Sequence, residues 1–191
     1  MSKGRLEAFS DGVIAILITI MVLELRAPQG ASWAALGQLV PSLLSYVLSF
    51  VFLGIYWTNH HHLLQLTERV TGGVLWANLH LLFWLSLIPF ATTWMGQNHY
   101  AAVPTAVYGI VLVLAAVAYE KLQYTIIRAQ GADSQLSRAI GSDRKGKISL
   151  VLYLVAIPAA FVQPLVADAL YATVALVWFV PDRRIERVVD R

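Results

Sequence analysis

The chain has 191 residues, 58% of them hydrophobic and only 13% charged, with a formal net charge of +3 and no cysteine. Soluble domains carry about 25% charged residues, so this chain has too few to coat a water-facing surface, and its mean hydropathy of +0.65 places most of it in lipid. The missing cysteines exclude a disulfide-stapled scaffold. The basic residues stand at the ends of apolar segments, where membrane topology explains them better than a nucleic-acid surface does.

A helix needs about 20 apolar residues to cross the hydrocarbon core. Taken in chain order, the first such run covers about residues 6–25, interrupted by Ser10, Asp11 and Glu24. It has a basic start, but it ends in Leu23-Glu24-Leu25-Arg26 without a small-residue cleavage site, so it reads as a retained helix rather than a signal peptide. The next runs cover 33–57, 74–95 and 101–127. The stretch 129–147 is polar and broken by Gly131, Gly141 and Gly146, too short to hide a soluble catalytic domain. Residues 148–180 divide near Gln163-Pro164 into spans at 148–163 and 165–180, each about 24 Å long. Such short crossings need local thinning or burial in a bundle. One kinked helix there, giving five spans in all, is the rival.

Charge decides between them. Lys3 and Arg5 precede the first span, Arg69 follows the second, a basic group from Lys121 to Lys147 surrounds the polar loop, and Arg183, Arg184, Arg187 and Arg191 follow the last. Of 14 Lys and Arg, Arg26 alone falls on the opposite side. Positive flanks stay cytoplasmic, which favours an all-α integral protein of the cell membrane with six spans and both termini cytoplasmic. Trp33, Trp57, Trp76, Trp94 and Trp178 lie near span ends, as an interfacial belt requires.

Two clusters carry chemistry. The first helix opens with Arg5-Leu6-Glu7-Ala8-Phe9-Ser10-Asp11-Gly12. Acids near a helix start can act as caps, but Asp11 lies too far inside for that alone. Arg5 stands about 120° around the helix from Asp11, which points to a partner from another helix; the candidates on the cytoplasmic side are His60 or His61, together with Arg5 and Ser10 of the same helix. The second cluster is Trp57-Thr58-Asn59-His60-His61-His62, placed by the topology at the cytoplasmic end of the second span. Consecutive histidines point about 100° apart on a helix, so these three do not converge on one metal ion, and no cofactor is implied. Pro89 and Pro158 can mark breaks in their helices. No G-x-S-x-G, H-E-x-x-H, Walker or T-V-G-Y-G sequence occurs.

The segment Arg5-x-x-x-Phe9-Ser10-Asp11, followed by an Ile/Leu/Val/Thr-rich helix, resembles the signature of the endosomal/lysosomal potassium channel family, transmembrane protein 175. Glu24 in Val22-Leu23-Glu24 and Trp57…Asn59-His60-His61 are similar to its prokaryotic members. The resemblance implies a homotetramer of six-helix subunits, permeable to potassium and other monovalent cations. It also implies a pore lined by the first helix and no P-loop filter.

On that helix Ile16, Thr19, Ile20 and Leu23 share a face with Gly12, within about 60° of Ile16, whereas Asp11 lies about 140° away. If Ile16 faces a central axis, Asp11 turns into the subunit, Ile16 forms the narrowest ring, and Glu24 stands at the outer mouth. Without the resemblance, the same stripe is an ordinary lipid-facing or packing face. A small carrier or proton-coupled transporter, with Asp11 and His60–His62 as a relay, is the second reading.

Overall fold

The computed structural model describes residues 2–131, 134–140 and 143–179. Among these every regular element is a helix. The C-terminal arginines and the end of the last expected span lie outside the described residues.

Helix α1 (Lys3–Leu23) starts three residues before the expected span and buries Leu6, Ser10, Ile14, Leu17 and Met21. Steps of three and four put these five on one stripe. The second expected span is displaced along the chain. Its first residues form a separate short helix, α2 (Trp33–Gly37), capped by the Ser32 hydroxyl accepting from the Ala35 N–H at 3.1 Å. The long helix α3 (Val40–Gln65) begins with Pro41 in its first turn, where a missing N–H costs nothing, and runs through all three histidines. The polar run does not end the helix because its side chains satisfy themselves on it. Thr58 Oγ1 donates to the Gly54 carbonyl at 2.9 Å and Asn59 Nδ2 to that of Ile55 at 2.8 Å.

Helices α4 (Gly72–Ser86) and α5 (Ile88–Gln97) form one crossing interrupted at Leu87, just before Pro89. Proline has no N–H to give the preceding turn, and its ring crowds that turn. Pro158, by contrast, stays inside a continuous helix. Helix α6 (Ala102–Gln130) is the longest and ends at Gly131, whose φ of +99° suits glycine. A short helix α7 (Gln135–Ile140) lies in the polar loop.

Helix α8 (Arg144–Val162) starts earlier than expected, because Asp143 caps it: Oδ1 accepts from the Gly146 N–H at 2.9 Å. Gly146 therefore belongs to the first helical turn and does not break the loop. Helix α9 (Pro164–Phe179) follows after the extended residue Gln163. Trp178 Nε1, near its end, donates to Ser149 Oγ, near the start of α8, at 2.7 Å. The two helices are thus an antiparallel hairpin, which excludes the single kinked helix. Counting α4–α5 as one, five segments among the described residues are long and apolar enough to cross a membrane; α9 is apolar but shorter, at 16 residues.

Helix α6 occupies the middle, packed on α4, α5, α8 and α9, while α1 rests on α3, α4 and α5. Gly109 of α6 lets α9 come close: the Tyr171 hydroxyl stands where a Cβ would be, and it donates to the Thr105 carbonyl at 3.1 Å. On the outside, Val151, Leu154, Phe161, Leu165 and Leu176 are exposed, as lipid-facing residues are.

Candidate functional site

Helix α1 has two opposed faces. Leu6, Ser10, Ile14, Leu17 and Met21 are buried against the bundle. Gly12, Ile16, Thr19, Ile20 and Leu23 lie on the other side and are uncovered, Ile16 being 57% and Leu23 78% exposed. The signature residues divide along the same line. Ser10 is fully buried and Asp11 half-buried, while Arg5 and Phe9 stand on the exposed side.

The buried face is fastened by a chain of hydrogen bonds across three helices. Ser10 Oγ donates to the Leu6 carbonyl at 2.9 Å and accepts from Asn78 Nδ2 of α4 at 2.9 Å. The Asn78 Oδ1 is 2.7 Å from His60 Nε2 of α3. All three residues are almost completely buried. An amide and an imidazole at this depth are costly unless bonded, and each is bonded to the next. This tie fixes both the rotation of α1 and its height against α3 and α4.

Asp11 has a different partner from those expected. Trp57 Nε1 of α3 donates to its Oδ1 at 3.0 Å. His60 is engaged by Asn78, and His61 contacts Gln65 at 2.8 Å and stacks on the Trp57 ring at 6.2 Å. Arg5 makes no ion pair or hydrogen bond within the chain among the described residues; on this helix Lys3 pairs with Glu7 at 4.0 Å. The reason is geometric. Residues five and six apart on a helix point in different directions, and Arg5 follows the exposed stripe. Sequence reasoning also passed over Asn78. Its signal was the same one that marked Ser10 and Asp11, a polar side chain inside an apolar run.

Further along, Thr19 Oγ1 donates to the Ile16 carbonyl at 2.9 Å, leaving its oxygen lone pairs on the open face. Glu24 caps the end of α1 and borders a cleft with Ile20, Ser86, Phe90, Thr93 and Gln97.

The family model for the endosomal/lysosomal potassium channel TMEM175 matches residues 5–89, from the signature arginine to the proline that breaks the third crossing. Over 187 residues the chain is 54% identical to a potassium channel of Chryseobacterium sp. (strain P1-3), covering 98% of this chain and 97% of that one. The chain belongs to the TMEM175 family. Its fold is similar to the crystal structure of a lysosomal potassium-selective channel TMEM175 homolog from Chamaesiphon minutus, with a TM-score of 0.83 and 28% identity over 94% of this chain and 97% of the other. The endosomal/lysosomal proton channel TMEM175 of Bos taurus is 36% identical over 103 residues, which are 48% of this chain and 22% of the bovine protein. In this TMEM175 chain, the helix bearing the signature is therefore one the bundle grips on one side and leaves open on the other.

Proposed function

We propose that the chain is one subunit of a potassium-permeable cation channel of the cell membrane, in which four copies surround an axis lined by α1. The observation that carries this reading is the uncovered stripe Gly12, Ile16, Thr19, Ile20 and Leu23, opposite a face locked by buried polar bonds. A helix clamped this firmly is held to present its other side to something. One subunit cannot enclose a path with a single helix, so copies complete it. The relatives named as potassium channels supply the ion. A proton relay would need Asp11 in contact with the histidines, whereas Asp11 bonds Trp57 and His60 bonds Asn78.

In this assembly four Ile16 side chains form the narrowest ring. They offer no oxygen to replace an ion's hydration shell, so a closed ring stops ions by dewetting and an open one passes them largely hydrated. Potassium passes better than sodium because its shell is easier to distort. Thr19, one turn outward, supplies hydroxyls to a partly hydrated ion, and Glu24 raises the cation concentration at the mouth. No P-loop filter is needed. The chain crosses six times with both termini cytoplasmic, α9 making the shortest crossing at about 24 Å.

The test is planar-bilayer recording of purified protein carrying Ile16→Asn, which replaces the apolar ring with amides of similar size. Conductance rises and discrimination between potassium and sodium falls. Unchanged currents and selectivity, with substitutions on another helix altering both, would place the constriction elsewhere.

A further inference from the structure

Away from α1, helices α3, α6, α8 and α9 leave a cleft whose walls are aromatic and whose rim is acidic. Tyr56, Tyr119, Tyr153 and Trp178 line it together with the carboxylates of Glu120 and Asp143. The Tyr56 and Tyr119 rings meet edge to face at 6.1 Å, and the Tyr119 hydroxyl donates to the Asn59 carbonyl at 3.1 Å, which holds that wall in place. Tyr153 is only 3% exposed, yet among the described residues its hydroxyl has no hydrogen-bond partner. The ring is packed away while the residue lines the cleft, so its hydroxyl is open to a hydrogen bond with whatever enters.

The chemistry of the walls defines that guest. Two carboxylates close enough for Glu120 to feel the charge of Asp143 disfavour an anion. Bare divalent cations take a near-complete shell of oxygen ligands, whereas this cleft sets two carboxylates against walls that are mostly ring faces, and no cluster of three or more metal-ligating side chains occurs among the described residues. Ring faces attract cations that carry a hydrocarbon surface, above all substituted ammonium groups. The chain already uses one of these rings in this way: Lys145 Nζ lies 5.8 Å from the centre of the Trp178 ring. Lys147 is a further cation within electrostatic reach of Glu120. It stands on the exposed surface at the start of α8, where solvent screens it.

We infer that this cleft binds an organic ammonium group, with Glu120 and Asp143 supplying the counter-charge and the tyrosine and tryptophan rings the walls. The group can arrive on a soluble amine or as the headgroup of an amino-phospholipid. The site is separate from the α1 face and stands whether or not that face lines a pore.

Calorimetric titration of the purified full-length protein with tetramethylammonium chloride tests it, with lithium chloride at equal ionic strength as reference. Saturable binding is expected for tetramethylammonium. Glu120→Gln, which keeps shape and removes charge, weakens it about tenfold, Tyr153→Phe weakens it less, and Ile16→Asn leaves it unchanged. Repeating the titration in nanodiscs separates the sources. Competition by phosphatidylethanolamine but not phosphatidylglycerol identifies a lipid headgroup, and undiminished binding in both identifies a soluble amine. Absence of saturable binding overturns the inference. So does binding that Ile16→Asn abolishes and Glu120→Gln leaves intact, since the cation would then sit in the pore.

Discussion

Asn78 is where three helices meet through one side chain. Its amide donates to Ser10 and its carbonyl faces His60, both buried, so no water stands ready to replace it. Asn78→Ala therefore leaves the buried His60 ring nitrogen without its partner, at about 1–3 kcal/mol, and takes from Ser10 the bond it accepts while Ser10 keeps its bond to the Leu6 carbonyl; thermal unfolding in mild detergent will show a clear drop in melting temperature. Ser10→Ala alone costs less, because Asn78 keeps its bond to His60. In the Ser10→Ala background, Asn78→Ala should cost less than in the parent. Additive losses would mean the two side chains are not coupled. The sequence marks Ser10 and Asp11 plainly, since polar groups in an apolar helix must be paid for by partners. It does not say which helix provides them. Proximity in the chain favours Arg5, three-dimensional packing selects Trp57 and Asn78, and only the relative placement of α1, α3 and α4 distinguishes them.

The elements themselves are legible to within a few residues, because an apolar run of membrane length has one regular way to satisfy its backbone. The misreadings occur where local hydrogen bonding competes with hydropathy. The polar stretch at residues 58–62 looks like a helix end, yet Thr58 and Asn59 bond back to the preceding turn and α3 continues to Gln65. At Asp143 a side-chain cap extends α8 toward the loop. Neither composition nor periodicity reveals the close approach of α6 and α9. It depends on Gly109, where any Cβ collides with the Tyr171 hydroxyl. Gly109→Ala must push α9 outward or turn Tyr171 away from Thr105, an overpacking cost of about 1–3 kcal/mol. A lowered melting temperature, partly restored by adding Tyr171→Phe, is the expected outcome. Equal losses with and without Tyr171→Phe would show that another contact limits the approach.

At the scale of the whole molecule, the hairpin of α8 and α9 returns the chain to the end where α8 began, as the Trp178–Ser149 bond requires. Under the proposed topology Arg26 alone of the 14 Lys and Arg falls on the far side, and labelling can check this. In intact cells, a membrane-impermeant thiol reagent should modify Gln97→Cys and spare Ser2→Cys and Ser134→Cys. The reverse pattern inverts the protein. Copy number is the property least legible in a single chain, because the stripe Ile16, Thr19, Ile20 and Leu23 looks the same facing lipid or facing its own copies. Native mass measurement in mild detergent should give four chains, and a monomer that still conducts would refute the proposed assembly.

The polar ties of α1 to its neighbours all fall in its first half. Lys3 Nζ donates to the Gln65 carbonyl at 2.7 Å, Ser10 is tied to Asn78, and Asp11 to Trp57. From Gly12 onward, among the described residues, α1 is held by apolar contact alone. The directional ties thus sit at one end, with Ile14, Leu17 and Met21 packed beyond them and able to slide. Ile16 lies about 9 Å beyond Ser10 along the axis and Leu23 about 20 Å, so any tilt about that end swings Leu23 roughly twice as far as Ile16. In the proposed ring of four copies, such a tilt would widen the outer mouth well ahead of the waist, and the small travel left at Ile16 would set how far the waist can open.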